Sequence, residues 1–248
     1  MAKKATSRLS RVYTGQPLLS TDSVELAGSV SHYLTRVLRL SEGDSVSLFN
    51  GDGRDYSGEI CEIQRQRLLV RINRNELKSN ESPLKITLVQ AISRGERMDY
   101  SLQKATELGV FCIQPVTSRR VEVRLDKKRQ AKRLAHWQGV VVSACEQSGR
   151  AVVPEVKAPL SLSEWLAVSE PVQRLVLDPV AETGMSSLPI TGNAVSVLVG
   201  PEGGFTSKEL DDVRLMGVMA ASLGPRVLRT ETAGPAAIAV LQAGVGDL

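Results

Sequence analysis

The sequence predicts an α/β protein, in which a domain with a mainly parallel sheet follows a small β-rich domain. Beyond residue 84, strand-like and helix-like segments alternate, which is typical of a parallel sheet covered by helices. Before residue 74, the strand-like segments are short and flank a turn at 50–53, which is typical of a compact barrel. The chain has 248 residues, of which 42% are apolar, so a core is expected and disorder is excluded.

The first predicted domain spans residues 1–74. Apolar and polar residues alternate on both sides of the turn at 50–53, and a further strand is predicted at 68–72. One helix is predicted over 30–40, because apolar residues recur there at helical spacing. The polar segment 75–83, which ends in proline, is predicted to be an interdomain linker.

The second predicted domain spans residues 84–248 and carries the α/β pattern. Thr206 and Glu209 have the spacing of a capping box, which predicts that a helix starts there, and Gly109 is predicted to end another helix. The predicted strands cover 86–92, 111–116, 174–178, 194–199 and 219–223. The predicted helices cover 96–108, 126–147 and the residues from about 232 onward.

Charge is distributed unevenly along the chain. Residues 1–150 contain 25 Lys and Arg against 16 Asp and Glu, a net charge of +9, whereas residues 151–248 contain 6 against 11, a net charge of −5. A basic region is typical of contact with a polyanion, although basic residues also occur on faces that are merely solvated. Charge alone therefore leaves nucleic-acid binding open.

The cysteine and histidine residues lack the spacing of a metal site. Cys61, Cys112 and Cys145 are far apart and odd in number, which argues against a disulfide framework and against zinc. His32 and His136 are isolated too. The apolar runs are shorter than the roughly 18 residues of a membrane span, and no signal-peptide pattern follows the basic start. We therefore expect a cytoplasmic protein with no metal and no membrane partner.

Two glycine-containing loops follow predicted strands. Ligands of open α/β sheets bind at the carboxyl ends of strands, so the loops at 200–205 and 224–232 are candidate binding loops. Neither has the glycine spacing of a dinucleotide or triphosphate site, and a tight turn without a ligand is an alternative for the first loop. In the second loop, Arg226, Arg229 and Glu231 form either a structural ion pair or a site that binds a phosphate or base and handles a proton.

Four segments resemble the signature blocks of one enzyme family. They are Glu96–Val110, Glu146–Arg150, Leu198–Phe205 and Leu223–Ala233, with a further match at His32–Leu40. The family is the ribosomal small subunit methyltransferase E family of the SPOUT superfamily, which methylates N3 of a uridine in 16S rRNA with S-adenosylmethionine. The resemblance covers nearly the whole chain. It implies a PUA-like barrel in the first domain, a C-terminal trefoil knot in the second, and a homodimer formed through the knotted domains.

The resemblance also implies roles for individual residues. The positions that match the family's cofactor pocket are Leu198, Gly200, Glu202, Gly203, Leu223, Leu228, Thr230 and Ala233. Among the charged residues of the two loops, Glu202 and Glu231 are the candidates for removal of the uridine N3 proton, and Arg229 or Arg226 would stabilise the uracil anion. Alternatively, Glu202 only orients its loop and Arg229 only anchors a phosphate.

RNA contact is expected from the basic part of the chain. Only 4% of the residues are aromatic, so phosphate contacts should dominate and binding should weaken steeply with salt. The basic run 124–133 is better explained as a solvated helix face. The family often has an acidic residue where this chain has Arg119, and commonly has lysine at the position of Arg94. The predicted RNA contacts are Arg8, Arg11, Arg36, Arg39, Arg94, Arg97, Arg119, Arg120 and Arg226.

The last predicted helix is almost entirely apolar. Gln242 is the one polar side chain between Ala233 and Val245, and a helix that is apolar all round has to be covered on every side. Either the domain buries this helix fully or a second subunit covers one face.

Two other functions remain compatible with the sequence. One is a non-catalytic RNA-binding factor for ribosome assembly, which would keep the fold without binding S-adenosylmethionine. The other is a SPOUT methyltransferase that acts on transfer RNA. The two-domain layout and the Glu146–Arg150 block favour the ribosomal target.

Overall fold

The computed structural model describes residues 9–120, 127–168 and 171–248. The chain forms two compact units. The first comprises the residues up to Glu81 together with Cys145–Val153, and the second comprises Ser82–Ala144 and Pro154–Leu248. Residues 145–153 are predicted to belong to the second domain, whereas in the structure they belong to the first unit.

The first unit is built on a five-stranded sheet in the order β1-β3-β4-β5-β2, in which β1 and β3 are parallel and the other pairs antiparallel. Val12 from one edge strand and Leu26 from the other belong to the same buried cluster, so the sheet curls around one core. The fifth strand extends into the segment predicted as linker. The strands are β1 (Ser10–Tyr13), β2 (Ser23–Ala27), β3 (Ser45–Phe49), β4 (Arg54–Ile63) and β5 (Arg67–Leu77).

The helix predicted over 30–40 is divided into two parts. The α-helical part, α1, covers Gly28–His32, and a π-helical turn covers Tyr33–Val37. Accordingly, the amide of Leu38 donates to the carbonyl of Tyr33 rather than to that of Leu34. The wider turn changes which side chains reach the core, because Leu34 is buried whereas Tyr33 and Val37 are exposed.

The second unit is built on a seven-stranded sheet in the order β12-β10-β11-β6-β7-β8, with β9 also paired to β7. All of these pairings are parallel, which confirms the predicted mainly parallel sheet. Because β10, β11 and β12 are neighbours, the loops that follow them leave the same edge of the sheet. The strands are β6 (Lys85–Ala91), β7 (Cys112–Thr117), β8 (Glu155–Val156), β9 (Leu160–Ser161), β10 (Gln173–Leu177), β11 (Ala194–Val199) and β12 (Met219–Ala221).

The remaining helices begin and end close to the predicted positions. Thr206 and Glu209 form the predicted capping box, and Gly109 has a φ of +82° just after a helix, a conformation that favours glycine. Ser161 and Glu164 form a second capping box, a signal that the sequence analysis did not use. The helices are α2 (Glu96–Glu107), α3 (Lys127–Ser148), α4 (Leu162–Ala167), α5 (Ser207–Leu215) and α6 (Thr230–Val245).

The apolar helix α6 is covered unevenly by the single chain. Ile238 and Leu241 are buried against the second unit, whereas Ala243 and Val245 are exposed. The structure therefore does not show full burial of this helix within its own domain, which is one of the two alternatives that the sequence leaves open.

Gln242 joins α6 to the end of α2. Its buried amide nitrogen lies 3.2 and 3.3 Å from the carbonyl oxygens of Leu108 and Gly109, and its Oε1 accepts a hydrogen bond of 2.7 Å from Ser82 Oγ. Replacement of Gln242 by leucine should lower the free energy of unfolding by about 1–3 kcal/mol, because these buried partners lose their hydrogen bonds. Urea unfolding measures the change. The exposed substitution Gln103→Leu on α2 should alter stability by less than about 0.5 kcal/mol, and an equally small effect of Gln242→Leu would contradict the assignment.

Candidate active site

A cavity of about 460 Å³ lies at the carboxyl edge of the parallel sheet in the second unit. It is lined by residues of the loops that follow β10, β11 and β12. The loops at 200–205 and 224–232 are the two that the sequence analysis selected. The loop after β10 contributes Asp178 and Pro179, which the sequence analysis missed. The rule that ligands bind at the carboxyl ends of parallel strands would have selected that loop as well.

Most of the residues that the family resemblance assigns to the cofactor line this cavity. They are Gly200, Glu202, Leu223, Leu228, Thr230 and Ala233. Leu198 is instead fully buried in the core of the sheet, and Gly203 packs against the side chain of Arg120. The predicted catalytic residues Glu202, Arg229 and Glu231 line the cavity, as does Arg226.

The chemistry of the cavity is mixed. Apolar side chains such as Leu177, Phe205 and Leu223 form part of its wall, and carboxylates and guanidinium groups form the rest. A side chain at Gly200 would crowd this wall, because a Cβ there would lie 3.2 Å from the ring of Phe205. Such a cavity suits a ligand that has both a heterocycle and charged groups.

A buried chain of hydrogen bonds holds two of the loops to the sheet. Thr230 Oγ1 donates to the carbonyl of Gly200 at 2.6 Å, and it accepts from Gln90 Nε2 at 3.0 Å. Gln90 belongs to β6, Gly200 follows β11, and Thr230 begins α6. The two hydrogen bonds therefore place both glycine-containing loops relative to the central strands. Sequence reasoning found Thr230 by resemblance but did not find Gln90.

Arg97 and Glu202 form the centre of a charged group at the cavity. Nη1 of Arg97 donates to Oε1 of Glu202 at 3.2 Å, and the same oxygen accepts the backbone N–H of Arg94 at 3.0 Å. Nε of Arg97 lies 3.9 Å from Oε1 of Glu231. Partial burial of Glu202 raises the pKa of its carboxyl, but the N–H donors of Arg94 and of Glu202 itself and the Arg97 guanidinium outweigh this effect and lower the pKa.

Two arginines of the loop after β7 contact the first glycine-containing loop and the helix that follows it. Arg120 Nη1 donates to the carbonyl of Gly203 at 2.7 Å, and the backbone N–H of Arg119 donates to Glu209 at 2.7 Å. Burial raises the pKa of the Glu209 carboxyl, but hydrogen bonds from Arg119 and from the Thr206 backbone and hydroxyl lower it overall. Arg119 and Arg120 are both exposed, so they remain available for the RNA contacts predicted for them.

Arg11, a predicted RNA contact, is engaged inside the first unit. Its side chain is 11% exposed and donates to Asp55 at 2.7 Å and to the carbonyls of Cys145 and Arg150 at 2.7 and 2.9 Å. Its guanidinium also lies 3.8 Å from the centre of the Phe49 ring. These contacts correct the prediction, because a guanidinium with this set of partners is a structural element of the unit. The sequence around a basic residue does not show whether a carboxylate neutralises its charge in the folded unit.

The other predicted RNA contacts lie at the surface or beyond the described part. Arg8 lies outside the described residues. The exposed ones are Arg36 and Arg39 in the first unit, and Arg94, Arg97, Arg119, Arg120 and Arg226 in the second.

Residues of the signature block at 146–150 form hydrogen bonds and an ion pair that stabilise the first unit. The backbone N–H of Tyr13 donates to Glu146 at 3.0 Å, and the buried Arg150 side chain forms an ion pair with Glu81. Burial raises the pKa of the Glu146 carboxyl, more than the Tyr13 N–H and the Arg11 charge lower it. These contacts explain why residues 145–153 belong to the first unit.

The described residues contain neither a cluster that could hold a metal ion nor a helix that could span a membrane. Within residues 9–120, 127–168 and 171–248, no group of three or more His, Cys, Asp or Glu side chains is placed to hold a metal ion. In the same part of the chain, no helix combines the length and the apolar character needed to cross a membrane.

Comparison with known protein families defines the class of protein. Residues 80–242 match the model of an RNA methyltransferase domain, and residues 26–73 match that of an RNA methyltransferase PUA domain. The chain is 37% identical to the ribosomal RNA small subunit methyltransferase E of Buchnera aphidicola (subsp. Schizaphis graminum), over 97% of this chain and 98% of that protein. The Bacillus subtilis enzyme of the same name is 28% identical over 89% of this chain and 90% of its own length. The chain belongs to the ribosomal RNA small subunit methyltransferase E family.

Solved structures agree with this assignment. The Neisseria gonorrhoeae ribosomal RNA small subunit methyltransferase E, bound to S-adenosylmethionine, is 38% identical with a TM-score of 0.90, over 97% of this chain and all (100%) of that one. A Legionella pneumophila protein in complex with the same cofactor is 38% identical with a TM-score of 0.94, over 98% of this chain and 100% of that one. The family resemblance and the PUA-like first unit are thereby confirmed. The trefoil knot stays a prediction.

Proposed function

We propose that this protein transfers a methyl group from S-adenosylmethionine to N3 of a specific uridine in the 16S rRNA of the small ribosomal subunit. The main support from the structure is the cavity at the carboxyl edge of the sheet, where Glu202, Thr230 and Glu231 come together. The names and bound cofactor of the similar proteins support the same reaction class.

The residues of the cavity fit S-adenosylmethionine. Apolar side chains such as Leu177 and Phe205 suit the adenine ring, and the carboxylates of Asp178, Glu202 and Glu231 suit a ligand that carries a sulfonium and an ammonium group. Gly200 leaves room beside Phe205 that a larger residue would fill. When it is bound, S-adenosylmethionine supplies a methyl carbon that is already activated by the positive sulfur.

The chain has to supply orientation and to remove the uridine N3 proton. Glu231 and Glu202 are the candidate acceptors of that proton, and Arg229 or Arg226 would balance the negative charge that develops on the uracil oxygens. The loops that carry these residues are fixed by the Gln90–Thr230–Gly200 hydrogen bonds, which favours a reproducible position of the base relative to the methyl group.

The exposed arginines other than Arg97 are proposed to bind the phosphates of the RNA, and the target uridine is proposed to leave its stack to reach the cavity. Because phosphate contacts release counterions, the affinity for rRNA should fall steeply between about 50 and 200 mM salt. Filter binding of a 16S fragment at several salt concentrations measures this slope. A flat salt response would contradict the proposed phosphate contacts.

A homodimer is proposed because the last turn of α6 is apolar and its own unit leaves it uncovered. Ala243, Gly244 and Val245 are exposed there, and exposed apolar residues on a helix are typical of a subunit interface. Light scattering at micromolar protein should give the mass of two chains. A monomeric mass would contradict the dimer.

The expected cytoplasmic location of the protein remains a prediction.

The proposed reaction can be tested directly. Small ribosomal subunits from cells that lack the protein should gain one N3-methyluridine in 16S rRNA when they are incubated with the protein and S-adenosylmethionine, as detected by mass spectrometry. Transfer RNA should gain none. Calorimetry distinguishes the proposed enzyme from the non-catalytic alternative, because an assembly factor without a cofactor site would give no heat with S-adenosylmethionine. Methylation of transfer RNA alone would favour the other alternative.

A further inference from the structure

Arg97 contacts carboxylates from both glycine-containing loops of the second unit. It lies in the first turn of α2, beside the loops rather than within them. It reaches Glu202 on the loop after β11 at 3.2 Å and Glu231 at the start of α6 at 3.9 Å. All three residues line the cavity. An RNA contact was predicted for Arg97 from its sequence, but in the structure its charge faces the cavity carboxylates.

The two glutamates are held to different degrees. One oxygen of Glu202 accepts both the Arg97 guanidinium and the Arg94 backbone N–H, at 3.2 and 3.0 Å. A carboxylate that already accepts several donors is stabilised in its ionised form and is a poor acceptor for a further proton. Glu231 is more buried, at 17% exposed against 30% for Glu202, and its ion pair with Arg97 is longer.

We infer that Arg97 is a positioning residue, which Glu202 anchors and which orients Glu231 as the acceptor of the uridine N3 proton. This inference rests on the proposed function and divides the roles that the sequence analysis leaves shared between Glu202 and Glu231. In the reaction, the N3–H bond breaks and the proton goes to Glu231. The electron pair of N3 forms the new bond to the methyl carbon, while the pair of the carbon–sulfur bond leaves with the sulfur.

Arg97 acts on Glu231 by holding its side chain in place. The Arg97 guanidinium is itself fixed by its hydrogen bond of 3.2 Å to Glu202. Because Glu231 is oriented for the chemical step and not for RNA binding, removal of the guanidinium should lower kcat and leave the KM for the subunits unchanged. Loss of a phosphate contact would instead raise that KM.

The test compares Arg97→Met, Arg97→Gln and Arg97→Lys in the full-length protein, with small ribosomal subunits and S-adenosylmethionine as substrates. The methionine and glutamine variants should lower kcat about tenfold or more and leave the KM for the subunits unchanged, because both lack the guanidinium that holds Glu231. The lysine variant keeps a cation at this position and should restore part of kcat. Two uncharged variants are used so that poor folding of one does not decide the result.

The matched control is Lys104→Met on the same helix. Lys104 pairs with Glu107 at 2.9 Å and does not belong to the cavity lining, so its loss should leave kcat unchanged. The inference is overturned if the wild type methylates the subunits while the uncharged Arg97 variants keep its kcat. It is also overturned if they raise only the KM for the subunits, which is the result expected of a phosphate contact. The proposed function itself would fail differently, through an inactive wild type.

Discussion

Replacement of Glu231 by glutamine should lower the rate of methyl transfer about 100-fold or more. Glutamine keeps the size and polarity of the side chain but cannot accept a proton, and a general base contributes about 10²–10⁴ to the rate of a proton-transfer step. Glu231 lines the cavity and lies 3.9 Å from Arg97, so the substitution removes the acceptor without opening a space. Single-turnover transfer of a labelled methyl group to small ribosomal subunits measures the effect.

Glu202→Gln is the matched control for this prediction. Glu202 already accepts N–H donors from Arg94 and Arg97, which lower its pKa, so it is suited to hold a position rather than to take a proton. We expect about a tenfold loss or less in the single-turnover rate at saturating S-adenosylmethionine. If Glu202→Gln costs 100-fold and Glu231→Gln has little effect, the two roles are exchanged.

Replacement of Arg11 by methionine should lower the free energy of unfolding by about 3 kcal/mol. Methionine fills much of the volume but leaves Asp55 and the carbonyls of Cys145 and Arg150 without their donor. Removal of one partner from a buried ion pair costs about 3–5 kcal/mol. The lower end is expected here, because Lys78 remains 3.7 Å from Asp55 and gives that carboxylate a second cation. Denaturant unfolding followed by circular dichroism measures the change.

Arg36→Met is the matched control in the same unit. Arg36 is exposed on the π-helical turn, so its substitution should change stability by less than about 0.5 kcal/mol. It should instead weaken rRNA binding and reduce the slope of log affinity against log salt by about one, as expected for one lost phosphate contact. Equal losses of stability in the two variants would contradict a structural role for Arg11.

The parallel sheet, the helices around it and the two glycine-containing loops could be predicted from local sequence. Thr206 and Glu209 have the capping spacing, and the apolar strand at 194–199 is followed directly by glycine, so each signal lies within a few residues. The π-helical turn at 33–37 could not be predicted in the same way. Its i+5 hydrogen bond depends on how Leu34 packs in the core, and the apolar spacing of the segment is equally compatible with an α-helix.

Sequence alone established the fold class, the family and most of the residues that line the cavity, because these follow from periodicity and from short motifs in which neighbours in sequence act together. Tertiary structure alone decided what the charged residues do. Arg11 and Arg97 look alike as cations of the basic half of the chain. One is neutralised by Asp55 inside a folded unit, and the other faces Glu202 and Glu231 at the cavity. The partners of a charge lie tens of residues away along the chain, and only packing determines whether it meets a carboxylate or water.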